Sequence, residues 1–180
     1  MVENNEHDCR QFAEARQATL RKPCHFVDCG LPNVYLAGIR YFVCRKCGKR
    51  AAEIPAVKQL LTNIAAAVVE QEGRLTGAEI RFLRKRLGKK AAEFGGIIGV
   101  SPEQVSRWEN DSNPPEKSAE KLIRLCYTLL SGDKRLRRRF GKDVRQLEGW
   151  LAALPSDEHI DRIQASRGKK QEWEVEPVAL

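Results

Sequence analysis

Two groups of residues in this chain have the types and spacing to do chemistry. The first is a set of cysteines. Cys24 and Cys29 are separated by four residues, Cys44 and Cys47 by two, and each pair ends in Cys-Gly (Cys29-Gly30 and Cys47-Gly48). A knuckle that turns backbone amides toward thiolate sulfur needs that glycine. Four thiolates so arranged suit one tetrahedral, structural Zn2+. His25 is an alternative to Cys24 as first ligand, and plain buried thiols are the alternative to zinc altogether. Four thiolates would leave no position for water or substrate, so the expected ion is not catalytic. A zinc deaminase would need His-x-Glu followed by Pro-Cys-x-x-Cys; Cys44 follows Val43, and no His-x-Glu occurs. Of the remaining cysteines, Cys9 reads as a free thiol and Cys126 as a small core residue.

The second group lies in residues 91–110, AAEFGGIIGVSPEQVSRWEN, which read as a helix-turn-helix. Gly95 supplies the small residue where two steeply crossing helices meet, and Gly99 tolerates the positive φ of the turn. Val100, Val105 and Trp108 form the apolar side of the second helix, against Phe94 and Ile98 of the first. Ser101 is its N-cap, Pro102 occupies the first helical position and Gln104 stands where a capping-box partner sits. The outward face then carries Glu103, Gln104, Ser106 and Arg107, which are long or polar enough to reach base edges in a major groove. Lys89 and Lys90 precede the first helix as candidate phosphate contacts, and Ser101 joins the same surface. The competing reading is an ordinary helical hairpin, which would not need this cap and polar face together.

These groups need elements to hold them. Residues 23–54 form the expected four-cysteine ribbon, with short strands at 34–39 and 41–44. A segment so small buries too little apolar surface to fold alone, whereas a structural zinc site contributes about 10–16 kcal/mol. Residues 55–72 form a linker helix in which Val57, Leu60, Leu61, Ile64 and Val68 recur at helical spacing. The DNA-binding domain, 73–131, opens with a helix at 76–87. Thr76 and Glu79 make its capping box, Ile80, Leu83 and Leu87 face inward, and Gly88 closes it. Arg81, Arg84, Lys85 and Arg86 decorate the rest. A helix at 116–131 follows the recognition helix, then a basic helix within 132–154 that aligns Leu136, Phe140, Val144, Leu147 and Leu151. Residues 1–22 suggest only a short helix near 12–20, and the charged tail, 155–180, is expected to be partly disordered. The fold class is mainly α with a small β zinc ribbon.

Charge supports a polyanionic partner. The net charge of +8 is uneven: residues 73–100 carry seven Lys/Arg against two Glu, residues 132–150 seven against three acids, and residues 151–180 four against six. Basic flanks around a helix-turn-helix suit a phosphate-tracking surface. No apolar run is long enough to span a bilayer, and the polar, acidic start MVENNEHDCR lacks the pattern of a signal peptide. The expected location is the cytoplasm. No nucleophile–base set or open metal site is legible, so an enzyme is not expected.

A Cys-rich ribbon, a linker and this helix-turn-helix together resemble the MqsA/YgiT-type zinc-finger/helix-turn-helix antitoxins, whose DNA-binding half is Xre/Cro-like. The resemblance covers roughly residues 24–130 and rests most on CGLPNVYL (29–36), CRKCG (44–48), GAEIRFLRKRLG (77–88) and VSRWEN (105–110). It implies a structural four-cysteine ribbon that contributes to binding a cognate toxin. It also implies a homodimer that binds a palindromic operator in double-stranded DNA and represses its own operon. The base-reading role carries over to Arg107; the other family base reader falls on Glu103, whose carboxylate suits a cytosine amino group. The wider first cysteine pair, Gly95-Gly96 within a helix and the extra basic helix depart from the family. The alternative is a stand-alone Xre-type regulator whose ribbon is a protein-interaction module.

Overall fold

In the computed structural model, the described residues are 8–140, 152, 162–168 and 172–178. Short segments with alternating apolar residues pair into two sheets, and between their strands the chain makes a helical domain. The first sheet joins β1 (Ala13–Gln17), β4 (Arg40–Cys44) and β5 (Arg50–Ala52) antiparallel in the order β1-β4-β5. The second has the order β2-β3-β6-β7, from β2 (Cys24–His25), β3 (Val34–Ala37), β6 (Arg162–Arg167) and β7 (Trp173–Val178). Strand β3 runs parallel to β6, with Val34 opposite Ile163 and Ala37 opposite Ser166. A parallel pair demands a crossover, and here the crossover contains the whole helical domain.

Within the charged tail, residues 162–167 and 173–178 form strands that its sequence did not announce. Along β6, buried Ile163 and Ala165 alternate with half-exposed Arg162, Gln164 and Ser166. That is the period-two pattern of a strand with one buried face. Trp173 on β7 is buried as well; its indole N–H donates to the Pro55 carbonyl at 2.8 Å, and its own carbonyl accepts from Asn63 at 2.7 Å. The N-terminal segment also departs from expectation. A 3-10 turn, Cys9–Phe12, leads into β1 instead of a helix, because pairing with β4 from Ala13↔Cys44 to Gln17↔Arg40 satisfies its backbone in a ladder.

Helix α1 (Val57–Glu70) sits between sheet and helices, with Leu60, Ile64 and the run from Ala65 to Val69 buried. It packs on β6 and β7 at one side and on α2 and α5 at the other. The amphipathic linker does dock within the chain, and it is buried over more of its circumference than a single stripe requires. Then follow α2 (Gly77–Arg86), α3 (Ala91–Ile98), α4 (Pro102–Glu109), α5 (Lys117–Leu130) and α6 (Lys134–Phe140). Leu136 of α6 is buried; the rest of the expected basic helix, with Val144, Leu147 and Leu151, lies outside the described residues.

Arg124 of α5 locks these parts together. It is fully buried and donates to the carbonyls of Val69 (2.9 Å), Gly73 (2.5 Å), Val68 and Gln71, and to the Glu120 carboxylate. Those carbonyls include the last ones of α1, which have no partner within the helix. Glu120 also accepts from the Leu75 N–H at 2.6 Å, and Gln71 donates to Glu79 at 3.0 Å. A buried cation needs such partners, and here both terminal nitrogens of the guanidinium donate.

Candidate nucleic-acid interface and cysteine cluster

Helix α2 starts with the expected reciprocal cap: Thr76 accepts from the Glu79 N–H, and Glu79 accepts from the Thr76 N–H at 2.8 Å. Helix α3 ends at Gly99 with φ +75°, and a Cβ on Gly95 would stand 2.5 Å from the Val100 carbonyl oxygen. Both glycines are thus where the turn needs them. The α4 cap also forms, with Ser101 accepting from the Gln104 N–H at 3.2 Å. Phe94, Ile98, Val105 and Trp108 are buried.

With that apolar side turned inward, Ser101, Glu103, Ser106 and Arg107 are exposed and Gln104 is half-buried. The Glu103 carboxyl is held below its ordinary range by its own backbone N–H, then by the Ser101 hydroxyl, with nearby Arg107 adding to the effect. Lys90 is exposed and Lys89 half-buried beside this face. The Lys90 N–H donates to Glu93 at 2.7 Å, so Glu93 supplies the cap that the Lys90 side chain cannot.

The α2 cations are less available than their sequence suggests. Glu109, at the end of α4, is buried between Arg81 (3.3 Å) and Arg84 (2.9 Å), and its hydrogen bond holds the Arg84 guanidinium above its ordinary pKa. Arg84 also donates to the Lys89 carbonyl, and Arg86 to Thr62 at 3.2 Å. Only Lys85 of the four expected surface cations is exposed. Asp111, with φ 54°, accepts from the Gly77 N–H at 2.6 Å, and a Cβ on Gly77 would meet the Trp108 carbonyl at 2.5 Å. The recognition helix is thereby fastened to the start of α2. No spacing rule announces Glu109 or Gly77, because their partners lie on another helix.

The cysteines regroup. The sulfurs of Cys9, Cys44 and Cys47 lie within 4.8 Å of one another, and those of Cys9 and Cys47 are 3.6 Å apart. Cys44 ends β4, and the Gly48 N–H returns to its carbonyl at 2.8 Å, with φ +70° at Gly48 closing the knuckle. Asp8 caps the 3-10 turn that brings in Cys9. The Cys9 thiol is pushed up to about 11, first by its hydrogen bond to Cys47, then by burial and by Cys44. Three sulfurs at this separation can hold a metal ion, and the cluster is compatible with a zinc ribbon.

Cys24 and Cys29, expected as ligands, do not join that cluster. Cys24 is buried in β2 opposite Leu36, and Cys29 donates to the Phe26 carbonyl at 3.1 Å. Burial raises both thiols. His25 is elsewhere again, its Nε2 2.6 Å from the Pro32 carbonyl and its ring stacked on Tyr35 at 4.6 Å. Cys9, read as a free thiol, lies instead beside Cys44 and Cys47. Cys126 is half-buried and packs against the core.

No helix among the described residues is long and apolar enough to cross a membrane. Nothing matches this chain among curated proteins or among solved structures. Residues 80–126, from within α2 to within α5, match the helix-turn-helix family model. The match and the capped, exposed face of α4 support a DNA-binding transcriptional regulator with an Xre/Cro-like helix-turn-helix.

Proposed function

We propose that the protein is a sequence-specific repressor that binds a palindromic operator in double-stranded DNA as a homodimer. In this reading it is the antitoxin and autoregulator of a toxin–antitoxin pair. The observation that carries the DNA half is α4: a capped helix whose apolar side is buried and whose Glu103, Ser106 and Arg107 face solvent. Arg107 pairs with a guanine edge, Glu103 and Gln104 read neighbouring bases, and Ser101, Ser106, Lys89 and Lys90 hold the backbone. The antitoxin role rests on the resemblance over residues 24–130, and zinc in the N-terminal module rests on the cysteine cluster.

Dimerisation is supported by α5, whose two faces have an unusual division of labour. Glu120, Ile123, Arg124, Tyr127 and Thr128 point inward, while Leu122, Leu125, Cys126, Leu129 and Leu130 recur at i, i+3, i+4, i+7 and i+8, with Leu125 and Cys126 half-buried and the other three exposed. Leu129 and Leu130 are 57% and 51% exposed. A contiguous apolar stripe in water marks an interaction surface, and a second copy there would give the two-fold symmetry of a palindrome.

The test is selection of bound sequences from a random DNA pool with wild type, Arg107→Ala and Lys90→Ala. Arg107→Ala should cost about 1–3 kcal/mol per half-site and relax preference at one symmetric position. Lys90→Ala should weaken all sequences alike and lower the salt slope by about one. An Arg107→Ala protein that keeps the wild-type preference and loses only affinity would overturn the assignment of the reading face.

A further inference from the structure

The four-cysteine zinc ribbon that the resemblance implies does not fit the residues as they stand, because Cys24 and Cys29 stay apart from Cys44 and Cys47. We propose instead that the metal centre is a three-thiolate site made by Cys9, Cys44 and Cys47, taking a thiophilic divalent cation of the zinc class. This deepens the zinc part of the function proposed above and is independent of its DNA part.

Geometry carries the assignment. Zinc–sulfur bonds of about 2.3 Å at tetrahedral angles set neighbouring sulfurs roughly 3.8 Å apart, close to the 3.6 Å between Cys9 and Cys47. All three ligands are positioned by backbone: the Cys44–Gly48 turn forms the knuckle that carries Cys44 and Cys47, and the pairing of Ala13 with Cys44 delivers the 3-10 turn that holds Cys9. Three thiolates around a divalent ion leave a net negative charge, and basic residues lie on the adjoining cavity wall. Arg10, Lys49 and Arg50 line a cavity of about 510 Å³ that borders Cys9 and Cys44, with Ala13, Phe42 and Ala51 as its apolar wall. An external donor can approach the ion from that cavity. Cys24 and Cys29 have other roles, one filling the core under β3 and the other closing a turn on the Phe26 carbonyl.

In such a centre the ion pins the N-terminal turn to the end of β4, tying the first sheet's edge. Thiolates ligate and thiols do not, so binding releases protons to solvent and leaves the sulfur oxidation state unchanged.

The experiment uses the full-length chain under reducing conditions, with cobalt(II) as spectroscopic probe and zinc as competitor. Wild type should bind one equivalent with tetrahedral cobalt bands and thiolate charge transfer. Cys24→Ser and Cys29→Ser should keep both intensity and affinity. Cys9→Ser and Cys47→Ser should lose about a third of the charge-transfer intensity. Their affinity should fall by more than about a hundredfold, since losing even an outer partner of a metal ligand costs 10–100-fold. Alkylation of wild type with and without zinc needs no variant: zinc should protect Cys9, Cys44 and Cys47 and leave Cys24 and Cys29 unchanged.

Loss of cobalt binding in Cys24→Ser or Cys29→Ser while Cys9→Ser keeps it would overturn the assignment in favour of the four-cysteine ribbon. Absence of tight cobalt or zinc binding in wild type would overturn it too, including the case in which Cys9 and Cys47 instead cross-link under mild oxidant. DNA binding by the same preparations separates the two readings: its loss with an intact cobalt signature speaks against the repressor, and the reverse speaks against this centre.

Discussion

In the helical region, charge removed from water is answered on the spot. Glu109 lies between Arg81 and Arg84, and Arg124 spreads its donors over α1's last carbonyls, the Gly73 carbonyl and Glu120. In the sheet region, closure comes from backbone ladders between distant segments: β1 on β4, and β3 on a strand from near the other end of the chain. The first kind of construction concentrates stability in a few polar pairs and close helix crossings. The second spreads it over buried aliphatic and aromatic side chains that meet only when both ends of the chain are in place. The α1 helix belongs to both, which is why the two regions share one core.

Arg124→Ala should have the largest effect, a loss of about 3–5 kcal/mol, because it strips the carbonyls at the α1 end and leaves the buried Glu120 carboxylate with only the Leu75 N–H and the more distant Arg74. Chemical denaturation measures this, and a loss below about 1 kcal/mol would mean that the helical region does not depend on this residue. Next is Ile163→Ala, expected to cost about 2–5 kcal/mol for a fully buried aliphatic residue. A neutral result would return residues 162–168 to the loosely held tail expected from their composition and break the comparison from the sheet side.

Smaller effects should come from neighbouring glycines of α3. Gly95→Ala puts a methyl 2.5 Å from the Val100 carbonyl and should cost about 1–3 kcal/mol. Gly96→Ala meets open space and should stabilise by roughly 0.5–1 kcal/mol. Thermal denaturation of the pair separates a crossing-point requirement from helix propensity; two changes of the same sign would show that α3 and α4 do not cross as described.

Much of the helical region was legible in the chain because its signals are local. The Thr76–Glu79 box, the Ser101 cap and the glycines at 95 and 99 each act within a few residues, and the structure places all of them as read. What escaped was the partnership between helices: Arg81 and Arg84 read as surface cations and instead hold Glu109. The grouping of the cysteines escaped the spacing for a related reason. Regular spacing implies convergence only when the intervening strands fold back in the matching register, and here the first pair is held in β2 and its following turn, on the other sheet.

The sequence by itself determined the capped starts of α2 and α4, the turn at Gly99 and which side of α4 faces water, since caps, positive φ and 3.6-residue periodicity are consequences of covalent structure within one or two turns. Only the tertiary structure decided that Cys9 joins Cys44 and Cys47, and that RIQASR is a strand with one buried face. Only there does an arginine at position 124 become the hub of the core. Each of those depends on contacts between segments remote in the chain, whose free energy appears only once the loops between them have closed.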